Sequence, residues 1–241
     1  MKTKFLLPVL LPILLFAACK KDSNDAKQKE RNGMVLVTDK IPGTGATIKL
    51  LTYAKPADQD GVWIDLNDNQ QQDEGEKVTK FEISADYPLT TSNTITVYGK
   101  VIGLNCSQNE IRALDVSKNT VLTELWCDLN TLSTLDVSKN TALTTLWCQD
   151  NNLSSLDVSK NTALTELYCH HNKITDKMDA LINSLPARTI AEAGSAYIYI
   201  EVDDKNSMPS TAVANAAKSK HWFLYTYNGT KWEVIGGGMS I

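Results

Sequence analysis

A 21-residue repeat occupies the middle of the chain and constrains its fold more than any other feature. Residues 114–134 read LDVSKNTVLTELWCDLNTLST, residues 135–155 read LDVSKNTALTTLWCQDNNLSS, and a third copy begins at residue 156 with LDVSKNTALTELYCHHNKIT. A degenerate earlier copy keeps four of the repeated positions, at Leu104, Cys106, Asn109 and Ile111. One such unit cannot bury its own apolar face, so near-identical units at a fixed spacing predict a stack of coils.

The spacing inside each unit is that of leucine-rich repeats. Residues 143–153 follow the pattern L-x-x-L-x-C-x-x-N-x-L, with cysteine in the third apolar place. Leu146 and Cys148 alternate with Trp147 and Gln149, so a short strand points the first two inward and the others outward. The fold class predicted is an α/β solenoid of short 21-residue leucine-rich repeats with a parallel β-sheet, an N-terminal β-rich cap and irregular helix–strand coils at the C-terminal end.

An asparagine marks the turn that follows each strand. Asn151 and its equivalents stand where the chain must leave the sheet, and a side-chain amide there can satisfy buried backbone groups. We expect these side chains to stack as a ladder, formed by Asn109, Asn130, Asn151 and Asn172.

The first residues predict export and a lipid anchor. Lys2 and Lys4 precede an apolar run that ends in Phe16-Ala-Ala-Cys19, the order of a signal peptide closing on a lipobox. We therefore expect a signal peptide at 1–18 and lipidation of Cys19. The polar segment that follows contains no large apolar side chain and predicts a flexible tether over 19–33.

Residues 34–100 are rich in β-forming runs and predict an N-terminal cap. The runs lie at 34–38, 46–52, 61–65, 78–81 and 94–97, and we expect the cap to join the repeats through residues 95–98 and 101–102. The regular repeats then extend over 101–175.

An acidic loop in the cap has the spacing of a twelve-residue calcium loop. Oxygen-bearing side chains occupy positions 1, 3, 5, 7, 9 and 12 of that spacing, at Asp65, Asn67, Asn69, Gln71, Asp73 and Glu76. Position 6 is Gln70, where the sharp turn normally requires glycine. Two interpretations stay open: a loop stiffened by structural calcium, and an acidic solvated hairpin without metal. No other cofactor is expected.

Irregular coils and a cap are predicted over 176–241. Thr175-Asp176 is expected to cap a helix that ends before Pro186, and residues 196–202 alternate as a strand. A second helix starting at Pro209-Ser210 precedes a strand over 222–227, and Asn228-Gly229 predicts a hairpin.

The repeated cysteines allow three interpretations. Cys106, Cys127, Cys148 and Cys169 recur at the inward phase of each strand. A row of residues does not converge as tetrahedral zinc ligands do, and stacked side chains give poor disulfide torsions. A ladder of buried free thiols is favoured over either alternative.

The outward strand positions form the candidate binding surface, on the predicted concave face. Its central column holds Trp126, Trp147 and Tyr168. Polar columns flank it and contribute Glu124, Glu166, Asp128, Gln149 and His170. Tyr197, Tyr199, Phe223 and Tyr225 extend the surface if the terminal coils stay in register. Exposed aromatic side chains of this kind are typical of binding hot spots.

The leading functional hypothesis is that the protein binds a protein or peptide partner, in adhesion or recognition. A carbohydrate-binding module is the alternative, since aromatic platforms beside acidic and amide groups also suit sugar rings. No enzyme is expected, because the sequence has no nucleotide loop, serine elbow or zinc motif. The net charge of −4 does not favour nucleic acid.

Residues 61–241 resemble the leucine-rich-repeat lipoproteins of Bacteroidetes cell surfaces. The resemblance rests on VWIDLNDNQQQDEGE, TITVYGKVIGLNCSQN, the LDVSKNTALTELYC coils and the ALINSLPAR…AKSKHWFLYTYNG tail, and covers about three quarters of the chain. It implies attachment to the outer membrane by the lipid anchor, at the cell surface, with a binding or adhesion role. It supplies no catalytic residues.

Overall fold

The computed structural model describes residues 33–200 and 205–235. The predicted signal peptide, the predicted lipidation site Cys19 and nearly all of the predicted tether lie outside the described residues. No helix within the described ranges is long and apolar enough to cross a membrane. The strands are β1 Met34–Thr38, β2 Thr47–Tyr53, β3 Trp63–Asp65, β4 Ala85–Pro88, β5 Thr94–Tyr98, β6 Gly103–Asn105, β7 Ile111–Asp115, β8 Glu124–Trp126, β9 Thr145–Trp147, β10 Glu166–Tyr168, β11 Gly194–Ile200, β12 Trp222–Tyr227 and β13 Trp232–Val234. The α-helices are α1 Met178–Ser184 and α2 Thr211–Ser219, and short 3₁₀ turns lie at Pro56–Gly61 and Ile190–Glu192.

The repeats form the parallel sheet that the sequence predicts. Strands β6, β8, β9, β10, β11 and β12 are neighbours in that order and all pair in parallel. Positions 21 residues apart face each other, as Leu125 and Leu146 do. Antiparallel β2 and β4 continue the sheet at one edge, and antiparallel β13 ends it at the other.

The core lies between this sheet and the chain that returns on the opposite side of each coil, which we call the return side. Leu125 and Leu146 point inward from the sheet with no exposed surface, and Val137 and Val158 meet them from the return side. The four repeat cysteines are free thiols in this core. Burial raises the pKa of Cys127 well above the usual thiol value, and neighbouring Cys106 and Cys148 raise it further.

The predicted asparagine ladder is present. Asn151 Nδ2 donates to the carbonyls of Cys127, Cys148 and Gln149, and its Oδ1 accepts from the Leu132 amide at 2.9 Å. Each asparagine therefore joins its own coil to the preceding one. The ladder also has a member that the sequence analysis missed, Asn206, because the last coil is longer than 21 residues.

A second asparagine ladder runs along the return side. Asn161 lies in the bend between Val158 and Leu164, and its side chain has no exposed surface. Its Nδ2 donates to the carbonyls of Val137 and Asn140, both at 2.9 Å. Asn140 repeats the arrangement one coil earlier, with donations to Val116 and Asn119. The bend is thus held from inside the core.

The N-terminal strands join the repeats both by strand pairing and through the predicted junction. β2 pairs with β6, and β1 pairs with β7 from the first coil. At the junction predicted from residues 95–98 and 101–102, β5 pairs with β1, and Ile102 donates its N–H to the Tyr53 carbonyl and accepts from Thr123 of the next coil. The run at 78–81 is not a strand: Val78 is buried, Phe81 packs against the core while partly exposed, and the two residues between them are exposed. β4, which the sequence analysis did not predict, takes the free edge of β2.

The C-terminal coils contain the predicted helices and strands. Met178, Leu181 and Ile182 bury the inner face of α1, but its N-cap is Lys177 and makes no side-chain capping bond. The expected Thr175-Asp176 cap fails because these side chains bond each other and Lys177. Ser210 caps α2 as expected, through Val213 N–H. β12 and β13 form the predicted hairpin.

Candidate binding site

The outward side chains of the sheet align in columns because the strands pair residue by residue. Trp126 lies opposite Trp147, and Trp147 opposite Tyr168. The pairing continues through Tyr197 and Tyr225, so the longer terminal coils stay in register at this column. A sixth ring joins from the N-terminal end. We call the set the aromatic strip: Tyr53, Trp126, Trp147, Tyr168, Tyr197 and Tyr225.

The tyrosine rings of the strip stack on one another along the sheet. Tyr168 and Tyr197 have ring centroids 4.1 Å apart at 10°, and Tyr197 and Tyr225 lie 4.7 Å apart at 13°. Trp147 tilts against Tyr168 at 4.8 Å, and Trp126 meets Trp147 edge-on at 6.4 Å. The stacked tyrosines therefore turn their faces to each other and their edges outward. Every ring of the strip is partly exposed.

Each end of the strip is bounded by an aromatic residue from an antiparallel strand. Tyr53 on β2 contacts Trp126 at 5.8 Å, and its ring covers Gly103 so closely that a Cβ there would lie 2.8 Å from the ring. At the other end, Trp232 on β13 packs edge-on against Tyr197 at 5.0 Å and against His170 at 5.3 Å. Neither residue was predicted to belong to the binding surface. Both lie on strands outside the repeats, and aligning the repeats does not show which residues these strands pair with.

One column of glutamates flanks the strip. Glu124 lies opposite Thr145, and Thr145 opposite Glu166. We call Glu124, Thr145 and Glu166 the glutamate column. Burial among its neighbours raises the pKa of Tyr168, and hydrogen bonding to Tyr197 and to Glu166 raises it further. Glu166 is therefore hydrogen-bonded to a residue of the aromatic strip, Tyr168.

The opposite flank is more buried than predicted. Asp128 accepts a short hydrogen bond from the Ser107 hydroxyl of the preceding coil. Gln149 is half-buried, and His170 is only 8% exposed because rings of Tyr168 and Trp232 pack against it. Contrary to prediction, His170 offers little surface to a ligand, whereas Asp128, Glu124 and Glu166 stay accessible.

The acidic loop of the cap folds around its own carboxylates. Asp65 and Glu76 are buried; Asp65 accepts from the amides of Asn69 and Gln70, and Glu76 from those of Leu66 and Asp73. Gln70 takes the left-handed conformation with φ 62°, as the glycine of a calcium loop does. In the described part of the chain, no group of three or more His, Cys, Asp or Glu side chains is arranged to hold a metal ion.

Asn67, Asn69, Gln71 and Asp73 surround the two buried carboxylates of this loop. Asp73 Oδ2 accepts from the side-chain amides of Asn67 at 2.7 Å and Asn69 at 2.6 Å. The backbone N–H of Gln71 donates to Asn69 Oδ1. The six predicted positions therefore lie in one compact loop, closed by hydrogen bonds.

Comparison with known families identifies the coils. A model of leucine-rich repeats, in two copies, matches residues 141–183. These coils are leucine-rich repeats. The comparison with curated protein sequences gives no match. Among solved structures, the chain is similar to one described as the functional domain of InlJ from Listeria monocytogenes, which includes a cysteine ladder, with 26% identity and a TM-score of 0.41. The match covers 64% of this chain and 28% of that one.

Proposed function

We propose that the leucine-rich repeats bind a protein or peptide partner through the aromatic strip, in recognition or adhesion. Leucine-rich repeats commonly mediate protein binding. The observation that carries the proposal is the alignment of five partly exposed rings along one sheet face, from Trp126 to Tyr225, with the ring of Tyr53 in contact at one end. Aromatic side chains held rigidly by their neighbours offer a large contact area at a low cost in conformational entropy.

The length of the strip supports a protein or peptide ligand. Strands lie about 4.8 Å apart, so the five rungs from Trp126 to Tyr225 span about 19 Å. The three rungs of the regular repeats alone are short for an interface of about 800 Å² on each partner. The C-terminal rungs, with Trp232 beside them, supply the additional surface.

Ring orientation favours a protein or peptide over the carbohydrate alternative. A sugar packs its apolar face flat on an exposed aromatic face. The faces of Tyr168, Tyr197 and Tyr225 are occupied by one another. What remains outward are ring edges and hydroxyl groups, which suit the side chains and backbone groups of a polypeptide.

A binding screen tests this proposal. The chain and its Trp126→Ala/Trp147→Ala variant are applied to arrays of extracellular proteins and of glycans, and circular dichroism checks that the variant is folded. We expect protein hits that the variant loses. Glycan hits lost in the variant would support the carbohydrate alternative, and hits that the variant keeps would move the site away from the strip.

We further propose that the protein is held at the outer surface of a bacterial outer membrane by lipid on Cys19. The support is the order of charged, apolar and small residues before that cysteine. The expected result is partition of the expressed protein into a detergent phase and loss of that partition in Cys19→Ala. Protease treatment of intact cells tests the side of the membrane. Equal partition of both forms would contradict the anchor.

Structural calcium in the acidic loop is a separate proposal, supported by the ligand spacing and by the left-handed Gln70. Excess Ca²⁺ is expected to raise Tm relative to chelator, since a ligand that binds only the folded state stabilises it. Asp73→Ala is expected to abolish the increase, whereas the control Asp60→Ala, at an exposed site outside the loop, keeps it. A Tm that does not respond to Ca²⁺ would favour the metal-free hairpin.

A further inference from the structure

We propose that the occupant of the aromatic strip is a basic segment of the partner in polyproline II conformation, with Lys or Arg at every third residue. This inference rests on the proposed function and names the chemistry of the ligand. It follows from the charge beside the strip, from the distance between the two glutamates, and from the length of the strip.

The charge beside the strip is acidic. The outward columns of the regular repeats contain Glu124, Glu166 and Asp128, and they contain no lysine or arginine. Among the ion pairs of the described ranges, none engages Glu124 or Glu166. Both carboxylates therefore remain available to cations of a partner, and complementary charge favours a basic one.

The aromatic rings favour the same partner. Guanidinium and ammonium groups are attracted to the faces of tryptophan and tyrosine, and tryptophan is the strongest of these. Trp126 and Trp147 are both partly exposed, and Glu124 lies two residues before Trp126 on the same strand, so both side chains are on the same face of the sheet. A cation beside Glu124 can contact the indole ring and the carboxylate together.

The spacing of the glutamates selects the backbone conformation. Glu124 and Glu166 are separated by two rungs, about 9.6 Å at the usual strand spacing. A polyproline II helix has three residues per turn and rises about 3.1 Å per residue, so side chains i and i+3 lie on one side about 9.3 Å apart. In a β-strand, side chains i and i+2 on one side lie about 6.8 Å apart and miss the second glutamate.

The length and the aromatic composition of the strip also suit a polyproline II segment. Its five rungs, about 19 Å, match about six residues of polyproline II. Aromatic-lined grooves are the surfaces on which proline-rich segments of this conformation dock. A six-residue segment therefore places two cations about 9.3 Å apart, one beside Glu124 and one beside Glu166, and a nine-residue segment carries a third cation beyond the glutamate column.

The test measures binding of defined peptides to the full chain in mild detergent by isothermal titration calorimetry. The probes are RPPRPPRPP, its glutamate counterpart EPPEPPEPP, and RRRPPPPPP, which has the same composition as the first without the three-residue spacing. We expect RPPRPPRPP to bind at least tenfold more tightly than either of the others. We also expect its affinity to fall with rising salt concentration.

Charge variants identify the contact. Glu124→Gln/Glu166→Gln is expected to weaken RPPRPPRPP about tenfold, from the loss of two exposed charge pairs. The matched control is Asp115→Asn/Asp157→Asn, which removes two carboxylates at the same two-rung spacing on the return side and keeps the acceptors of Ser117 and Ser159. This control is expected to bind as the unmodified chain does, and thermal melts check that both variants fold.

Three results would overturn the inference: no peptide binding, equal binding of RPPRPPRPP and EPPEPPEPP, or equal weakening by the two variants. If RRRPPPPPP bound as tightly as RPPRPPRPP, the inference of a polyproline II conformation with a cation at every third residue would be wrong. None of these outcomes decides the proposed function, which stands or falls on the array screen with the Trp126→Ala/Trp147→Ala variant.

Discussion

At the scale of single residues, buried asparagines set the geometry of each coil. In the ladder from Asn109 to Asn172 the residue before each asparagine is left-handed, with φ 52° at Leu129 and 54° at Asp150, a conformation that costs side-chain-bearing residues about 1–2 kcal/mol. Asn151 compensates for the turn by donating to three carbonyls and accepting one amide from the preceding coil. The same atoms hold a coil's shape and join it to its neighbour.

The first prediction concerns this asparagine. Asn151→Ala is expected to lower the free energy of unfolding by about 2–4 kcal/mol, since it leaves buried carbonyls and an amide without partners. Urea denaturation followed by circular dichroism measures the change. The adjacent Asn152→Ala is the control, because that partly exposed side chain makes none of these bonds, and it is expected to cost under about 0.5 kcal/mol. Equal costs at the two positions would contradict the ladder's role.

The second prediction concerns the repeat cysteines. Burial raises the thiol pKa of Cys127, as it does that of Cys106 and Cys148, so the folded state favours the protonated thiol. Their contribution to stability is therefore fully present below about pH 8.5, the usual thiol pKa, and is lost as the pH rises above it. The free energy of unfolding, measured from pH 7 to pH 10, is expected to fall above pH 8.5.

Thiol labelling provides the control for this prediction. In the folded chain we expect a thiol reagent at pH 8 to leave all four repeat cysteines unmodified, and to modify them once urea unfolds the protein. Mass spectrometry of the digested protein locates the label. Rapid labelling of Cys127 or Cys148 in the folded protein would contradict a closed core.

At the scale of elements, antiparallel strands complete both ends of the parallel sheet. β2 pairs with β6 at one end and β13 with β12 at the other. The strand before the first regular repeat has glycine at position 103, where later coils have Glu124, Thr145 and Glu166. Tyr53 occupies the space that a side chain would need. The cap thus fixes both the edge of the sheet and the first ring of the strip.

The third prediction tests that contact. Gly103→Ala is expected to destabilise the chain by about 1–3 kcal/mol, because the new methyl group meets the Tyr53 ring at 2.8 Å. In a Tyr53→Ala background the same substitution is expected to cost less than about 0.5 kcal/mol. Chemical denaturation of all four members of this double-mutant cycle gives the coupling. Strictly additive costs would show that Tyr53 does not pack on Gly103.

The structural elements whose residues repeat could be predicted from the sequence. Elements that depend on contacts with residues distant in the sequence could not. The parallel strands, the inward cysteines and Asn109 through Asn172 follow from alternation and spacing alone. The burial of Asn161 could not be predicted, because the carbonyl groups that its side chain contacts belong to the preceding coil. Tyr53 and Trp232 reach the strip by antiparallel pairing, and His170 is covered by Trp232, which no local pattern reveals.

At the scale of the whole molecule, one apolar core runs without interruption through the cap strands, the repeats and the C-terminal coils. The return side carries the second asparagine ladder and a row of aspartates, each of which is bonded to a serine amide of its own coil. The sheet side carries partly exposed aromatic rings that pack chiefly against each other. The aromatic strip and the second asparagine ladder therefore lie on opposite sides of the repeats.

Photo-crosslinking tests that separation most directly. A photoreactive benzoylphenylalanine replaces Thr145, beside Trp126 and Trp147, or exposed Ser159 on the return side, and each form is irradiated with the protein partner identified by the screen. We predict crosslinks from position 145 and none from position 159, with mass spectrometry locating them. Crosslinks from position 159 alone would contradict the central claim that the aromatic strip is the binding surface.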